Sequence, residues 1–336
     1  MAAGCGGGNG GGDGAAGDGG TEPADGAAGG ETQSLTVLLP NPSALNVFNL
    51  CAAVGEGYLE EEGIEVTVEA VDGSGPVLQA MVAGQAEIGL PGPGPVLNAR
   101  AEGEDIRMFY NHFAQSLFGL VVEEGSEFQS IEDLEGQTIG VGTAEGAEVS
   151  YARAILTDAG LEEDTDYEFL PVGDGGQATA AFERGDIVAY SAAISDMAIM
   201  RARGLALNEI TPEEFLTFFG NGYAASGEFI EENPEVIQGF TRAMLRGNEW
   251  ALENKEGTIE HCAEQNPEEG RDEELASALY DAVTPRSQPL ADEPVGVFPA
   301  DGWEAWQDNL VESGELDGPV EDLDSAYTNE FVEAES

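Results

Sequence analysis

Past residue 34 the chain alternates short apolar blocks with longer stretches whose apolar positions recur at a helical spacing. The run 35–39 is apolar and stops at Pro40-Asn41-Pro42, which predicts a first strand. A helical pattern follows over 44–61, with Gly63 just past its end. Residues 64–70 alternate like a strand, and Asp72-Gly73-Ser74-Gly75 turns the chain into a helix opened by Pro76. The unit then repeats: strand 87–90, turn Pro91-Gly92-Pro93-Gly94, and a helix from Pro95 to Gly103. Further strands are predicted at 106–111, 116–123, 138–142, 167–172 and 186–193, with helices at 145–158, 175–185 and 196–203. From 231 onward the pattern is mostly helical, over 234–254, 258–265, 273–282 and 301–313. Strands that alternate with helices imply βαβ units and mainly parallel sheets, with a second sheet inserted before a helical return to the first.

Charge changes this picture. The chain carries 66 Asp+Glu against 11 Lys+Arg, a formal net charge of −55, and Lys255 is the single lysine. Nucleic acid is excluded as a partner, because phosphate binding needs clustered cations. The recurring apolar blocks speak against general disorder, so the acidic residues read as a surface suited to high salt, where the Debye length falls to about 3 Å. Residues 1–34 are different: rich in Gly, Ala and Asp with no apolar run, they predict a disordered tether. Ala2-Ala3-Gly4-Cys5 resembles the end of a lipoprotein signal, with Cys5 as the lipid-bearing residue. The apolar stretch expected before it is missing, so either the start is trimmed or mis-assigned, the favoured reading, or Cys5 is incidental to a low-complexity tail. No run of 18 apolar residues occurs elsewhere. With three cysteines (Cys5, Cys51, Cys262), no C-x-x-C and two histidines, no metal or haem set can be drawn and no cofactor is expected. Cys51 and Cys262 read as buried free thiols rather than a disulfide pair.

Four stretches carry a family resemblance. Gly57-Tyr58-Leu59-Glu60-Glu61-Glu62-Gly63-Ile64-Glu65-Val66 resembles the G-Y-F-x-x-E-G-L-x-V block of periplasmic binding proteins of the nitrate/sulfonate/taurine and thiamine-pyrimidine class. Ala80-Met81-Val82-Ala83-Gly84-Gln85-Ala86-Glu87-Ile88-Gly89 is similar to A-L-x-x-G-x-A-D-I-G. The stretch from Ser130 to Val141 resembles S-I-x-D-L-K-G-K-x-I-G-V, and that from Glu228 to Glu235 is similar to the return segment. The blocks keep their order between about 35 and 310. The resemblance implies a two-lobed α/β fold of the type-II periplasmic binding protein, in a lipoprotein of haloarchaeal type. Lobe 1 would comprise 35–120 and 222–336, lobe 2 121–221, and two crossing strands would form the hinge. It further implies a non-enzymatic, monomeric, solute-binding component of an ABC importer, held outside the cell membrane by its lipid alone, that closes on a small molecule and delivers it to permease and ATPase subunits. The rival readings are a binding domain coupled to a signalling receptor and a pyrimidine-synthase-type enzyme. The enzyme would need a cofactor-bearing lysine and a cysteine cluster that this chain lacks.

In open α/β sheets, ligands sit beyond the carboxyl ends of strands, where helix N-termini point outward. The corresponding turns offer Asn41, Ser43, Ser74, Gly92 and Gly94 in lobe 1, and Thr143, Glu145, Asp174, Ser191 and Ser195 in lobe 2. Asn111, His112, Phe113, Asn221 and Tyr223 stand near the crossovers. Each has a blander role. Ser74, Asp174 and Ser195 are suited to helix capping, Glu145 to complementing a helix dipole, His112 to an internal hydrogen bond, and Phe113 and Tyr223 to packing. None of these turns carries Lys or Arg, which favours a neutral, heteroaromatic or cationic solute over nitrate or a sulfonate. The charge yields its own expectation: dilution from molar salt into salt-free buffer should lower the melting temperature and part of the native circular dichroism, and full retention of both would refute salt adaptation.

Overall fold

The computed structural model describes residues 32–144, 146–212, 214–215, 218–289 and 293–335. Residues 1–31 of the expected tether, with Cys5, lie outside them, as does Glu145, whereas Gln33 and Ser34, expected in the tether, pair with Ile64 and Glu65 as the start of the first strand. The chain begins with β1 (Gln33–Leu39), α1 (Phe48–Gly55), α2 (Tyr58–Glu61) and β2 (Ile64–Ala70). It continues through α3 (Ser74–Val82), β3 (Ile88–Gly89), α4 (Pro93–Ala101) and β4 (Ile106–Tyr110). Then come β5 (Phe118–Glu123), β6 (Gln137–Val141), α5 (Ala147–Asp158), β7 (Tyr167–Pro171), α6 (Gly175–Arg184), β8 (Ala189–Ala193), α7 (Ile194–Ala202) and β9 (Leu207–Glu209). After β10 (Tyr223–Ser226) the chain is helical: α8 (Gly227–Glu232), α9 (Pro234–Glu253), α10 (Lys255–Gln265), α11 (Glu273–Val283), α12 (Ala300–Glu312) and α13 (Glu330–Glu333).

Two five-stranded sheets organise these elements, in the orders β2-β1-β3-β10-β4 and β7-β6-β8-β5-β9. Each has a parallel trio, β2-β1-β3 and β7-β6-β8, extended by antiparallel partners: β10 against β3 and β4, and β5 against β8 and β9. The sheets are thus mixed, where mainly parallel pairing was expected. The reason is that β5 and β10 enter from the other sheet and run opposite to the strands they meet. The chain passes between sheets at 111–117 and 210–222, and none of the described residues of either passage belongs to a strand of a sheet.

Other departures have local causes. The single helix expected over 44–61 breaks into a 3₁₀ turn, Leu45–Val47, followed by α1 and α2, because Gly57 takes a left-handed φ of 76° that no helix interior allows. The strands β9 and β10 went unpredicted: Leu207–Glu209 and Tyr223–Ser226 are too short to show a period of two.

Clusters of buried residues hold the helices on the sheets. One contains Leu38, Ile106 and Met108 from the first sheet and Leu120 and Ile139 from the second, with Trp303, Trp306 and Leu310 of α12. Trp306 Nε1 donates to Phe219 O at 3.1 Å, which fixes α12 to the second crossing. Another packs Ile237, Phe240 and Met244 of α9 on β1 and α1. There α9 comes close enough to α1 that a Cβ on Gly247 would collide with the backbone oxygen of Asn49. Gly247→Val is therefore expected to destabilise the fold by about 3 kcal/mol. A denaturation midpoint in molar salt should fall steeply, while Gly318→Ala, whose Cβ meets nothing within 4 Å, should leave it unchanged.

Candidate functional site

The carboxyl ends of the parallel strands in both sheets face a common cavity of about 370 Å³. From the first sheet it is lined by Asn41, Ser43 and Asn46 after β1, Asp72 and Ser74 after β2, and Leu90 after β3. The second sheet supplies Thr143 and Glu148 after β6, Asp174 after β7, and Tyr190, Ser195 and Asp196 from β8 and the start of α7. Phe113, Leu117, Phe118 and Asn221 come from the crossings and their neighbourhood, and Glu268, Glu269, Leu275 and Leu279 close one end. Polar contacts run across the cavity: Asn46 Nδ2 donates to Asn41 Oδ1 at 3.1 Å and to Ser195 Oγ at 3.4 Å.

Several backbone N–H groups at these strand-to-helix turns are already occupied. Thr143 N donates to Glu148 Oε1 at 2.9 Å, Gly175 N to Asp196 Oδ1 at 3.2 Å, and Leu45 N to Glu269 Oε2 at 3.0 Å. Gly92 N donates to Ser74 Oγ at 3.1 Å and Ser43 N to Asn41 Oδ1 at 3.1 Å. Donors that would hold an anion at a helix N-terminus are met here by the protein's own acceptors.

Three carboxylates converge on one wall. A Cβ on Gly142 would stand 2.6 Å from Asp174 Oδ1, 3.2 Å from Glu148 Oε1 and 3.5 Å from Tyr190 Oη, so only glycine fits between them. Asp196 is buried, 8 % exposed, and accepts from Tyr190 Oη at 3.2 Å. Burial, and then the charges of Asp174 and Glu148, push its carboxyl up to about 7 against its hydrogen bonds from Tyr190 and Gly175. Burial also raises Glu148 and Asp174, the latter with help from the charge of Asp72. Among the described residues no set of three or more His, Cys, Asp or Glu side chains is arranged to hold a metal ion.

Of the residues singled out from the sequence, Asn41, Ser43, Ser74, Phe113, Thr143, Asp174, Ser195 and Asn221 line the cavity. Gly92, Gly94, His112, Ser191 and Tyr223 do not, and neither does Asn111. Gly92 and Gly94 let α4 approach α5, for a Cβ on Gly92 would lie 2.5 Å from that of Ala147 and one on Gly94 3.2 Å from that of Ser150. His112 Nε2 lies 2.7 Å from Asn46 O, and because a carbonyl only accepts, Nε2 carries the proton. Burial lowers that imidazole to about 4, so it is neutral, ringed by Phe48, Phe113 and Tyr223. Ser191 Oγ donates to Glu148 O at 2.9 Å, and Tyr223 is buried with its hydroxyl donating to Asn49 Oδ1 at 3.4 Å. Asn111 Nδ2 donates to Val297 O.

The capping expectations need correction. Ser74 and Ser195 lie inside the first turns of α3 and α7, and Asp174, although it occupies the N-cap position of α6, makes no capping hydrogen bond. Cys51 and Cys262 are buried and free. Sequence reasoning missed Asn46, Glu148, Tyr190 and Asp196. An Asp set between the apolar residues Ile194 and Met197 was a usable signal, but it is lost among 66 acidic residues.

The Asp196 carboxyl has a consequence for stability. Its proton is held more tightly in the folded state than in the unfolded chain, so its contribution is full below the ordinary value of 3.8 and is lost as pH rises through about 7. In molar salt, where surface repulsion is screened, the melting temperature should fall between pH 5 and pH 8. Asp196→Asn should flatten that part of the profile, and an unchanged slope in the variant would refute the assignment.

Comparison with known proteins sets this geometry in a lineage. Residues 44–258 match the family described as NMT1/THI5 like. The riboflavin-binding protein RibY of Chloroflexus aurantiacus is 28% identical over 287 residues, covering 83% of this chain and 80% of that one. The formylaminopyrimidine-binding protein of Halalkalibacterium halodurans is 24% identical over 302 residues, covering 86% of this chain and 88% of that one. The solved structure of the alkanesulfonate-binding protein SsuA from Xanthomonas axonopodis pv. citri bound to MOPS has a TM-score of 0.69 at 18% identity, covering 89% of this chain and 99% of that one, a likeness of fold. A family match across 44–258, on a two-sheet α/β architecture shared with a periplasmic binding protein, means that this chain belongs to the NMT1/THI5-like family.

Proposed function

We propose that the protein is the solute-binding component of an ABC importer, that it captures a small nitrogen heterocycle in this cavity, and that it hands the solute to a permease at the outer face of the cell membrane. The two lobes, 35–120 with 222–336 and 121–221, close on the solute by movement about the crossings at 111–117 and 210–222. The protein binds and releases; it does not transform its cargo. A lipid on Cys5, followed by the tether, keeps it near the permease and raises its effective concentration there. The acidic surface suits this work in concentrated salt.

The observation that carries the choice of solute is the cavity's lining. It combines apolar walls (Leu90, Phe113, Phe118, Ile199, Leu279) with acceptors (Asn41, Glu148, Asp174, Asp196, Asn221), and holds no Lys or Arg. Such a volume and lining suit a flat ring whose edge presents N–H donors. The names of two relatives, a riboflavin-binding and a formylaminopyrimidine-binding protein, point the same way. Among the described residues no helix is long and apolar enough to cross a membrane, in keeping with attachment by lipid.

Calorimetric titration in molar salt with riboflavin, formylaminopyrimidine, taurine and an alkanesulfonate should show binding of a heterocycle and none of the sulfonates. Small-angle scattering should record compaction with the ligand that binds. Tight binding of taurine or the alkanesulfonate would overturn the choice of solute, and failure of every ligand to compact the protein would overturn lobe closure.

A further inference from the structure

Buried carboxylates need a counter-charge or a proton. Six carboxylates line the cavity: Asp196 is buried, Glu148 and Glu269 are half-buried, and Asp72, Asp174 and Glu268 are exposed at its mouth; among the described residues no Lys, Arg or His joins them. The ion pairs among the described residues involve none of these except Glu268, which pairs outward with Arg271. Glu148, Asp196 and Glu269 spend hydrogen-bonding capacity on turn N–H groups. No hydrogen bond involves the Asp174 carboxylate among the described residues, and it opens to the cavity at the end of β7. On the elements that carry this wall the cations are Arg153 of α5, Arg184 of α6, and Arg201 and Arg203 at the end of α7; Arg153 pairs with Glu163 and Glu315, Arg184 with Asp186, the guanidinium of Arg203 lies beside Gly176, and none of the ion pairs among the described residues joins these cations to the three carboxylates. Tyr190 and Asp72 are further titratable groups facing them.

A second observation concerns a neutral side chain. Asn221 lines the same cavity, is 4 % exposed, and donates through Nδ2 to Leu90 O at 2.9 Å. That bond fixes which end of the amide is which, and its Oδ1 accepts no hydrogen bond. An unused acceptor at nine-tenths burial or more costs stability unless something donates to it.

We infer that the cavity selects a positively charged solute, a flat ring bearing a cationic nitrogen or amidinium group, which sits against Glu148, Asp174 and Asp196 while a neighbouring N–H donates to Asn221 Oδ1. The inference rests on the reading of this cavity as the solute site and narrows it to one charge. An anion would find the N–H groups of Thr143, Gly175 and Leu45 taken and three carboxylates opposite. A neutral ring would satisfy Asn221 but leave the carboxylates without a counter-charge. Burial raises all three carboxyls, and Asp196, pushed up to about 7, holds a proton below that pH that a cation would displace.

The test uses one ring in three charge states: 1-methylnicotinamide, a permanent cation, with nicotinamide and nicotinate, titrated into the full chain in molar salt and followed by calorimetry and scattering. The cation should bind at least about tenfold tighter than nicotinamide, with nicotinate weakest, and its affinity should increase from pH 5 to pH 8 as the wall loses protons. Asp174→Asn removes a carboxylate that makes no internal bond, so the fold should persist by circular dichroism and melting temperature while the cation's advantage shrinks severalfold. Glu148→Gln provides a second variant.

Equal or tighter binding of nicotinamide or nicotinate, or a cation advantage untouched in Asp174→Asn, would overturn the charge inference and leave the importer reading standing. Absence of binding by the cation while a neutral heterocycle compacts the protein would do the same. If no heterocycle of any charge binds or compacts the protein, the cavity is not the solute site and both readings fall.

Discussion

Everything in the cavity follows from how the backbone donors at its strand-to-helix turns are satisfied. Parallel strands deliver helix N-termini to one place, and each delivers N–H groups with no partner inside the helix. In this protein Glu148, Asp196 and Glu269 accept from Thr143, Gly175 and Leu45, and Ser74 and Asn41 accept from Gly92 and Ser43. These donors are thereby satisfied from within. A cleft that could have drawn an anion by its dipoles becomes one whose net sign is set by the surplus carboxylates, Asp174 above all.

That arrangement depends on close packing elsewhere. Glu148 can reach back to Thr143 because α5 starts hard against the second sheet, where Ser191 Oγ holds the Glu148 carbonyl. Gly142 leaves room for three polar groups around one Cα, and Gly92 with Gly94 let α4 meet α5 without side chains between them. Glu315 then ties the two flanks, accepting from Ser150 Oγ at 2.8 Å and pairing with Arg153. Cavity shape and carboxylate placement are therefore coupled through a few glycines and one acidic residue far from any ligand.

The alternation of apolar and helical text made the α/β class legible, and the turns after 39, 70, 142 and 172 correctly marked where the cavity would be. What could not be read was which acceptor meets which donor. Asp174 has the chemistry of a cap and the position of one, yet it makes no capping bond, while the first N–H of α6, on Gly175, goes to Asp196, twenty-two residues on from Asp174. That pairing crosses from α7 to α6 and leaves no local trace. Glu145 drew attention as the helix-opening acid, while Glu148, one turn later, is the residue that folds back. In a chain with 66 acidic residues, a functional carboxylate is statistically invisible until burial distinguishes it. The antiparallel strands β9 and β10 escaped for a different reason: pairing with distant strands, not local propensity, makes three or four residues into a strand.

The same excess of acid separates surface from site by physics rather than by sequence. Exposed carboxylates more than a Debye length apart hardly sense one another at physiological salt, and less so at higher concentrations. Asp196, walled in by Tyr190 and the α6 backbone, is beyond the reach of that screening, and Glu148 is partly so. A solute approaching in salt therefore meets a surface whose −55 formal charge is largely muted and a cavity whose few charges keep their strength. Discrimination by charge at this site rests on the geometry around Gly142 and not on the acidity of the whole molecule.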